Sequence, residues 1–98
     1  MLEEMTREEM HHAEEGKCLV VFYTPSCPHC KILEKTLDEM QKSDISLRCY
    51  KMDISKNASV ADDFSIRSVP TVLRFENKKV TARLVGNHTK SEIAAWLS

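Results

Sequence analysis

The sequence predicts an α/β fold in which a central mixed sheet of four to five strands carries helices on both faces. Three observations lead there. The run Cys18-Leu-Val-Val-Phe-Tyr23 is apolar at successive positions and rich in β-formers, the signature of a strand covered on both sides. A helical pattern and then a second strand pattern follow it, which makes a parallel strand-helix-strand unit. Residues Thr71 to Val85 read as a hairpin, so antiparallel pairing joins the same sheet.

Each element has its own reason. Thr6-Arg-Glu-Glu9 is a capping box: Thr6 accepts from orphan amides while Glu9 reaches back, opening a helix from Arg7 to about Glu15 that Gly16 ends in a left-handed conformation. Thr24-Pro25-Ser26 breaks the apolar strand. Beyond it Leu33, Leu37 and Met40 recur at helical spacing, with Glu34, Lys35, Asp38 and Glu39 assigned to the outer side. Pro28 suits the first turn of that helix, where an amide would have no partner anyway. Leu47 to Asp53 alternates as a strand, and a short helix is expected near Ser59 to Phe64. The hairpin runs through Thr71 to Glu76, a turn around Asn77-Lys78-Lys79, and Val80 to Val85. Thr89-Lys-Ser-Glu92 is a second capping box, opening a last helix with Ile93, Trp96 and Leu97 on one face.

Length and charge narrow the function classes. Ninety-eight residues, 42% hydrophobic and 30% charged, fit one domain over residues 1–98 and leave no room to enclose a large cofactor. Chemistry is therefore expected near the surface, with no bound cofactor. The net charge of −1 supplies no basic field for nucleic acid. Residues 1–16 hold six Glu and one Arg and read as an acidic, solvated segment, in which His11 and His12 are expected to face solvent. No apolar run approaches the ~18 residues of a membrane span, and Met1 to Gly16 has neither a basic start nor an apolar stretch. A cytoplasmic monomer without membrane or nucleic-acid partners is the expectation.

The chemistry concentrates at Cys27-Pro28-His29-Cys30, between a buried strand and a helix start. Free amides and the helix dipole favour negative charge there, so the Cys27 thiolate is stabilised and Cys27 is the expected nucleophile. A two-residue gap on a turn entering a helix brings the second sulfur within bonding distance but more buried, which suits Cys30 to resolve a mixed disulfide. Half of a structural zinc site is the competing reading, although Cys18 and Cys49 are single cysteines on strands and no second Cys-x-x-Cys is present. Those two read as small core side chains, with regulatory oxidation or a disulfide as the alternative.

Phe22-Tyr-Thr-Pro-Ser-Cys-Pro-His-Cys-Lys31 and Asp63-Phe-Ser-Ile-Arg-Ser-Val-Pro-Thr-Val-Leu-Arg-Phe75, together with Val85-Gly86 and a terminal helix ending in Trp96-Leu97, resemble the thioredoxin family. The resemblance covers residues 6 to 98 and implies a thioredoxin-like fold. It implies a thiol-disulfide oxidoreductase that reduces disulfide-containing protein substrates through the Cys27/Cys30 couple, without metal. It further implies a cis peptide at Val69-Pro70 facing the cysteines, with the Val69 backbone pairing with substrate, and a regenerating flavoprotein reductase. Glutathione is the alternative reductant, since Pro-Ser-Cys-Pro-x-Cys is also glutaredoxin-like; a thiol oxidase or isomerase, or a binding module without turnover, are the alternative functions. The chain departs from the family at the site itself. Ser26 stands where Trp usually precedes the first Cys, and Val21 stands where a buried acid is usual. Lys51, at the position of the lysine that accompanies that acid, is then expected either to reach solvent or to have water in the acid's place. Pro28-His29 resembles the dipeptide of periplasmic dithiol oxidases, so both residues are expected to tune the couple, an imidazolium favouring the thiolate and a more oxidising disulfide. The inserted helical domain of those oxidases has no room in the roughly 38 residues between Cys30 and Val69. His88, after Gly86-Asn87, is a candidate border of the substrate groove.

Overall fold

A computed structural model describes residues 2–13, 16–44 and 46–98 of the chain. The elements are β1 (Glu3–Glu4), α1 (Arg7–Ala13), β2 (Lys17–Tyr23), α2 (Pro28–Ser43), β3 (Cys49–Asp53), α3 (Ala58–Asp63), β4 (Thr71–Glu76), β5 (Lys79–Val85) and α4 (Lys90–Leu97). They build one five-stranded sheet in the order β1-β3-β2-β4-β5, with β1, β3 and β2 parallel and β4 and β5 antiparallel. This is the mixed sheet the sequence predicts.

Burial explains why β2 is apolar at every step. Cys18, Val20 and Phe22 enter one core with Met5, Met10, Met52, Val60, Leu73 and Phe75. Leu19 and Val21, alternating with them, enter a second core with Leu33, Leu37, Met40, Val72 and Ile93. A central strand with both faces covered has no solvent side to mark with polar residues. The second core contains Leu33, Leu37 and Met40 of α2, as their spacing predicts. Cys18 and Cys49 fall in different cores, on opposite faces of the sheet, so they cannot bond to each other and act as small apolar side chains.

Both capping boxes form. Thr6 N donates to Glu9 Oε1 at 3.1 Å and Glu9 N to Thr6 Oγ1 at 3.4 Å; Thr89 and Glu92 repeat the exchange at 2.8 and 3.2 Å. Such caps stabilise a helix by about 1 kcal/mol each. Gly16 has the expected positive φ of 84°. The expected helix end at Glu14–Glu15, and the His11 and His12 side chains, lie outside the described residues. In the hairpin Glu76 pairs with Lys79, so the turn is Asn77-Lys78 alone and β5 begins one residue early. Both turn residues have positive φ, 51° and 71°, the handedness that matches the twist of a two-residue hairpin. The strand β1 has no counterpart in the sequence reading. It consists of two exposed glutamates and exists through backbone pairing with Tyr50 and Lys51, which leaves no side-chain pattern to read.

Candidate active site

Phe22 of β2 faces Thr71 of β4, so the exit of one strand and the entry of the other lie at the same end of the sheet. The first exit leads through Thr24–Ser26 to Cys27; the second entry is preceded by Val69-Pro70. Register alone thus gathers the cysteines and the proline that stand about 40 residues apart in sequence. The turn is held by Cys27 N donating to Thr24 O at 3.2 Å.

Cys27 is the N-cap of α2, and its Sγ accepts from Cys30 N at 3.2 Å. The helix therefore begins by offering an amide to the sulfur, an arrangement that favours a thiolate there. Pro28 occupies the first turn as expected. Cys27 and Cys30 are disulfide-bonded with Cα atoms 5.3 Å apart. Cys27 is half-buried and Cys30 is fully buried, while Pro28 and His29 are exposed. The Val69-Pro70 peptide is cis. Pro70 is buried, Val69 is half-buried, and the Pro70 carbonyl accepts from Gly86 N at 2.8 Å. His88 Nε2 donates to Val85 O at 2.9 Å, and its Nδ1 lies 3.7 Å from Glu92, so its ring is tied to its own turn.

The expectation for Lys51 needs correction. Its register partner Val21 is wholly buried, yet Lys51 does not lack a carboxylate partner. Its ammonium lies 3.2 Å from Glu34 Oε1 and over the Tyr23 ring, 5.3 Å from the centroid. Glu34, assigned to the outer side of the helix by spacing, turns inward to meet it. The signal was available: Glu34 is four residues after Cys30, so the two share a helix face. Tyr23 closes the cluster by donating its hydroxyl to the Glu4 carboxylate at 2.6 Å, and burial together with that carboxylate pushes the hydroxyl well above its ordinary pKa. Glu34, Lys51, Tyr23 and Pro25 line a cleft of about 340 Å³. Asp53, at the end of β3, commits its carboxylate to Ser55, accepting from N at 2.9 Å and from Oγ at 2.6 Å. Among the described residues no three His, Cys, Asp or Glu side chains gather as metal ligands.

Trp96 packs at the margin of the second core, and the carbonyl of its neighbour Leu97 accepts from Arg74. Arg74 pairs with Leu19, toward the end of the sheet remote from the cysteines. Reducing the disulfide should therefore leave tryptophan emission nearly unchanged, whereas unfolding should alter it. A large emission change on reduction, with the fold intact by circular dichroism, would contradict this placement.

Comparison with known proteins agrees with the geometry. The thioredoxin family profile matches residues 2–98. The chain is 39% identical over 80 residues to the thioredoxin of Buchnera aphidicola, covering 81% of this chain and 74% of that protein. It is 29% identical over 93 residues to chloroplastic thioredoxin M5 of rice, covering 94% of this chain but 54% of the relative, so it spans about half of that protein's length. A chain from a structural study of thiol resolution in yeast mitochondrial 1-Cys peroxiredoxin superposes with a TM-score of 0.85 over 98% of this chain and 93% of that one, at 14% identity, a likeness of fold alone. A five-stranded mixed sheet, a bonded Cys-x-x-Cys pair at a helix start and these matches lead to one conclusion: the chain belongs to the thioredoxin family and carries the cysteine pair of a thiol-disulfide oxidoreductase.

Proposed function

We propose that the 98 residues act as one domain that reduces protein disulfides, with Cys27 as nucleophile and Cys30 as resolving thiol. The observation that carries this is the asymmetry of the pair: Cys27 is half-buried at a helix N-cap, and Cys30 is fully buried behind it. Attack by the accessible Cys27 thiolate breaks the substrate disulfide and forms a mixed one. Cys30 then attacks Cys27, releasing the substrate thiol and leaving the Cys27–Cys30 disulfide. Proline has no amide and the Pro70 carbonyl is engaged by Gly86, so the backbone beside the pair that can hydrogen-bond an extended substrate is that of Val69.

A regenerating reductase is needed in each cycle, and a flavoprotein reductase is the proposed one. Large apolar side chains exposed among the described residues are scattered, at Ile32, Val80 and Val85, which supports a monomer. No helix among the described residues is long and apolar enough to cross a membrane. Two buried thiols outside the disulfide, Cys18 and Cys49, suit a reducing compartment, and the cytoplasm is the proposed one. The test is reduction of a soluble disulfide protein with a chemical reductant as electron source. Turnover well above the reductant alone is expected; its absence would favour a binding module.

Pro28 and His29 are proposed to tune the couple. Exposed His29 stands between the two cysteines in sequence, where an imidazolium favours the Cys27 thiolate and hence the reduced form. His29→Gly should lower the reduction potential by tens of millivolts, where about 30 mV corresponds to 1.4 kcal/mol. Equilibration against a glutathione redox buffer measures it, and an unchanged potential would assign His29 no such part.

A further inference from the structure

Glu34 lies one helical turn beyond Cys30 on α2, with its carboxylate 3.2 Å from the Lys51 ammonium. We infer that Glu34 is the proton acceptor for Cys30 during resolution, replacing from the helix an acid that position 21 of the sheet lacks. The inference deepens the proposed reduction and rests on it.

Three observations converge. Residues four apart on a helix have β-carbons about 5–6 Å apart, a span that a glutamate side chain or one water closes. Cys30 is fully buried, so its proton needs a route that bulk solvent does not supply directly. The Glu34 and Lys51 side chains are only 16% and 17% exposed, beside wholly apolar Val21. Such a pair carries a desolvation cost, and apolar residues in its place are often at least as stable, so packing alone does not account for it. The cleft that Glu34 and Lys51 line gives the proton a way out.

The step balances without an outside reagent. The Cys30 thiol gives its proton to the Glu34 carboxylate. Its sulfur attacks Cys27 Sγ, the bond from Cys27 to the substrate sulfur breaks, and the electron pair leaves on that sulfur. The Cys27–Cys30 bond forms, and the proton passes from Glu34 through the cleft, by way of solvent, to the departing thiolate. The charged and titratable groups around Glu34 are Lys51 and Asp53 from β3, Tyr23 from β2 with Glu4 of β1 behind it, and Lys31, Lys35 and Asp38 of its own helix. Of these Lys51 makes the ion pair, and Asp53 is committed to Ser55.

The reduced protein is mixed with excess dithiobisnitrobenzoate and the released thionitrobenzoate is followed. The first release reports attack by Cys27 and scales with reagent; the second reports resolution by Cys30 and does not. Glu34→Gln should leave the first phase unchanged and slow the second by about a hundredfold or more at pH 7, the scale of a lost general base. The wild-type second phase should persist to lower pH than that of Glu34→Gln, in which it should fall steadily with pH from the thiol range downward. Adding Val21→Asp to Glu34→Gln should restore resolution, because position 21 faces Lys51. Should Glu34→Gln not fold, Glu34→Asp keeps an acceptor and should retain the wild-type pH profile. A second phase of wild-type rate and pH profile in Glu34→Gln would overturn the inference, as would equal slowing of both phases. Absence of the first phase in the wild-type protein would instead overturn the reduction itself.

Discussion

Cys27→Ser should abolish disulfide reduction outright, and Cys30→Ser should stall the protein after a single attack, leaving a stable mixed disulfide on Cys27. The two outcomes differ because the residues sit differently. Cys27 is half-buried at the N-cap, where the Cys30 amide approaches its sulfur at 3.2 Å, and serine there offers a hydroxyl too weakly acidic to attack. Cys30 is fully buried one turn in, so its loss spares the attack and removes the release. Alkylation of the reduced protein, mapped by mass spectrometry, should place the fast label on Cys27. Cys49 should stay silent until the fold opens, because burial pushes its thiol up to about 12. Cys18, equally enclosed, should behave the same way, and Cys18→Ala and Cys49→Ala should keep turnover. Dominant fast labelling at Cys18 or Cys49 would remove Cys27 from its assigned place.

The helix start at Cys27 is legible in the sequence because local rules and tertiary structure agree there. A buried strand, a turn with Pro25, Cys27 as the cap and Pro28 in the first turn specify a helix start within a dozen residues, and the structure adds little to that geometry. The same holds for both capping boxes and for the core positions of α2. Legibility fails where an element depends on partners distant in sequence. The strand β1 is held by the backbone of β3 about 47 residues away, so its glutamates carry no alternation. Glu34 fails for another reason. Amphipathic spacing assigns a glutamate to solvent by default, and only the presence of Lys51, placed opposite Val21 by strand register, draws it inward. The family resemblance showed that an acid was missing from position 21; it did not show where a carboxylate would come from. Charged groups at a site are thus the least legible part of this chain, because they are chosen by contacts across the sheet rather than by period.

Phe75→Ala should cost about 3–5 kcal/mol, the range for emptying a buried aromatic position. The ring is wholly buried in the core that Cys18, Val20 and Phe22 of β2 also enter, and it meets the Phe64 ring edge-on at a centroid distance of 5.5 Å. Phe64 in turn lies 6.3 Å from Phe22, so the three rings join β2, β4 and the end of α3. Small domains have about 5–15 kcal/mol in all, so this one change removes about a fifth of the stability or more. At about 4–8 °C per kcal/mol for this size, the Tm should fall by roughly 12–40 °C. Phe75→Leu, which retains most of the volume, should lose markedly less. Phe64 caps the helix that precedes the segment running to Val69, so the loss should also loosen the approach to Pro70 while leaving the Cys27 helix start intact. Urea unfolding of the oxidised and reduced proteins separates these effects. Below the transition, Phe75→Ala should keep fast alkylation at Cys27 and show weaker capture of extended peptide substrates, whereas a loss of stability under 1 kcal/mol would mean that this core closes over the cavity and that the rings do not join the three elements.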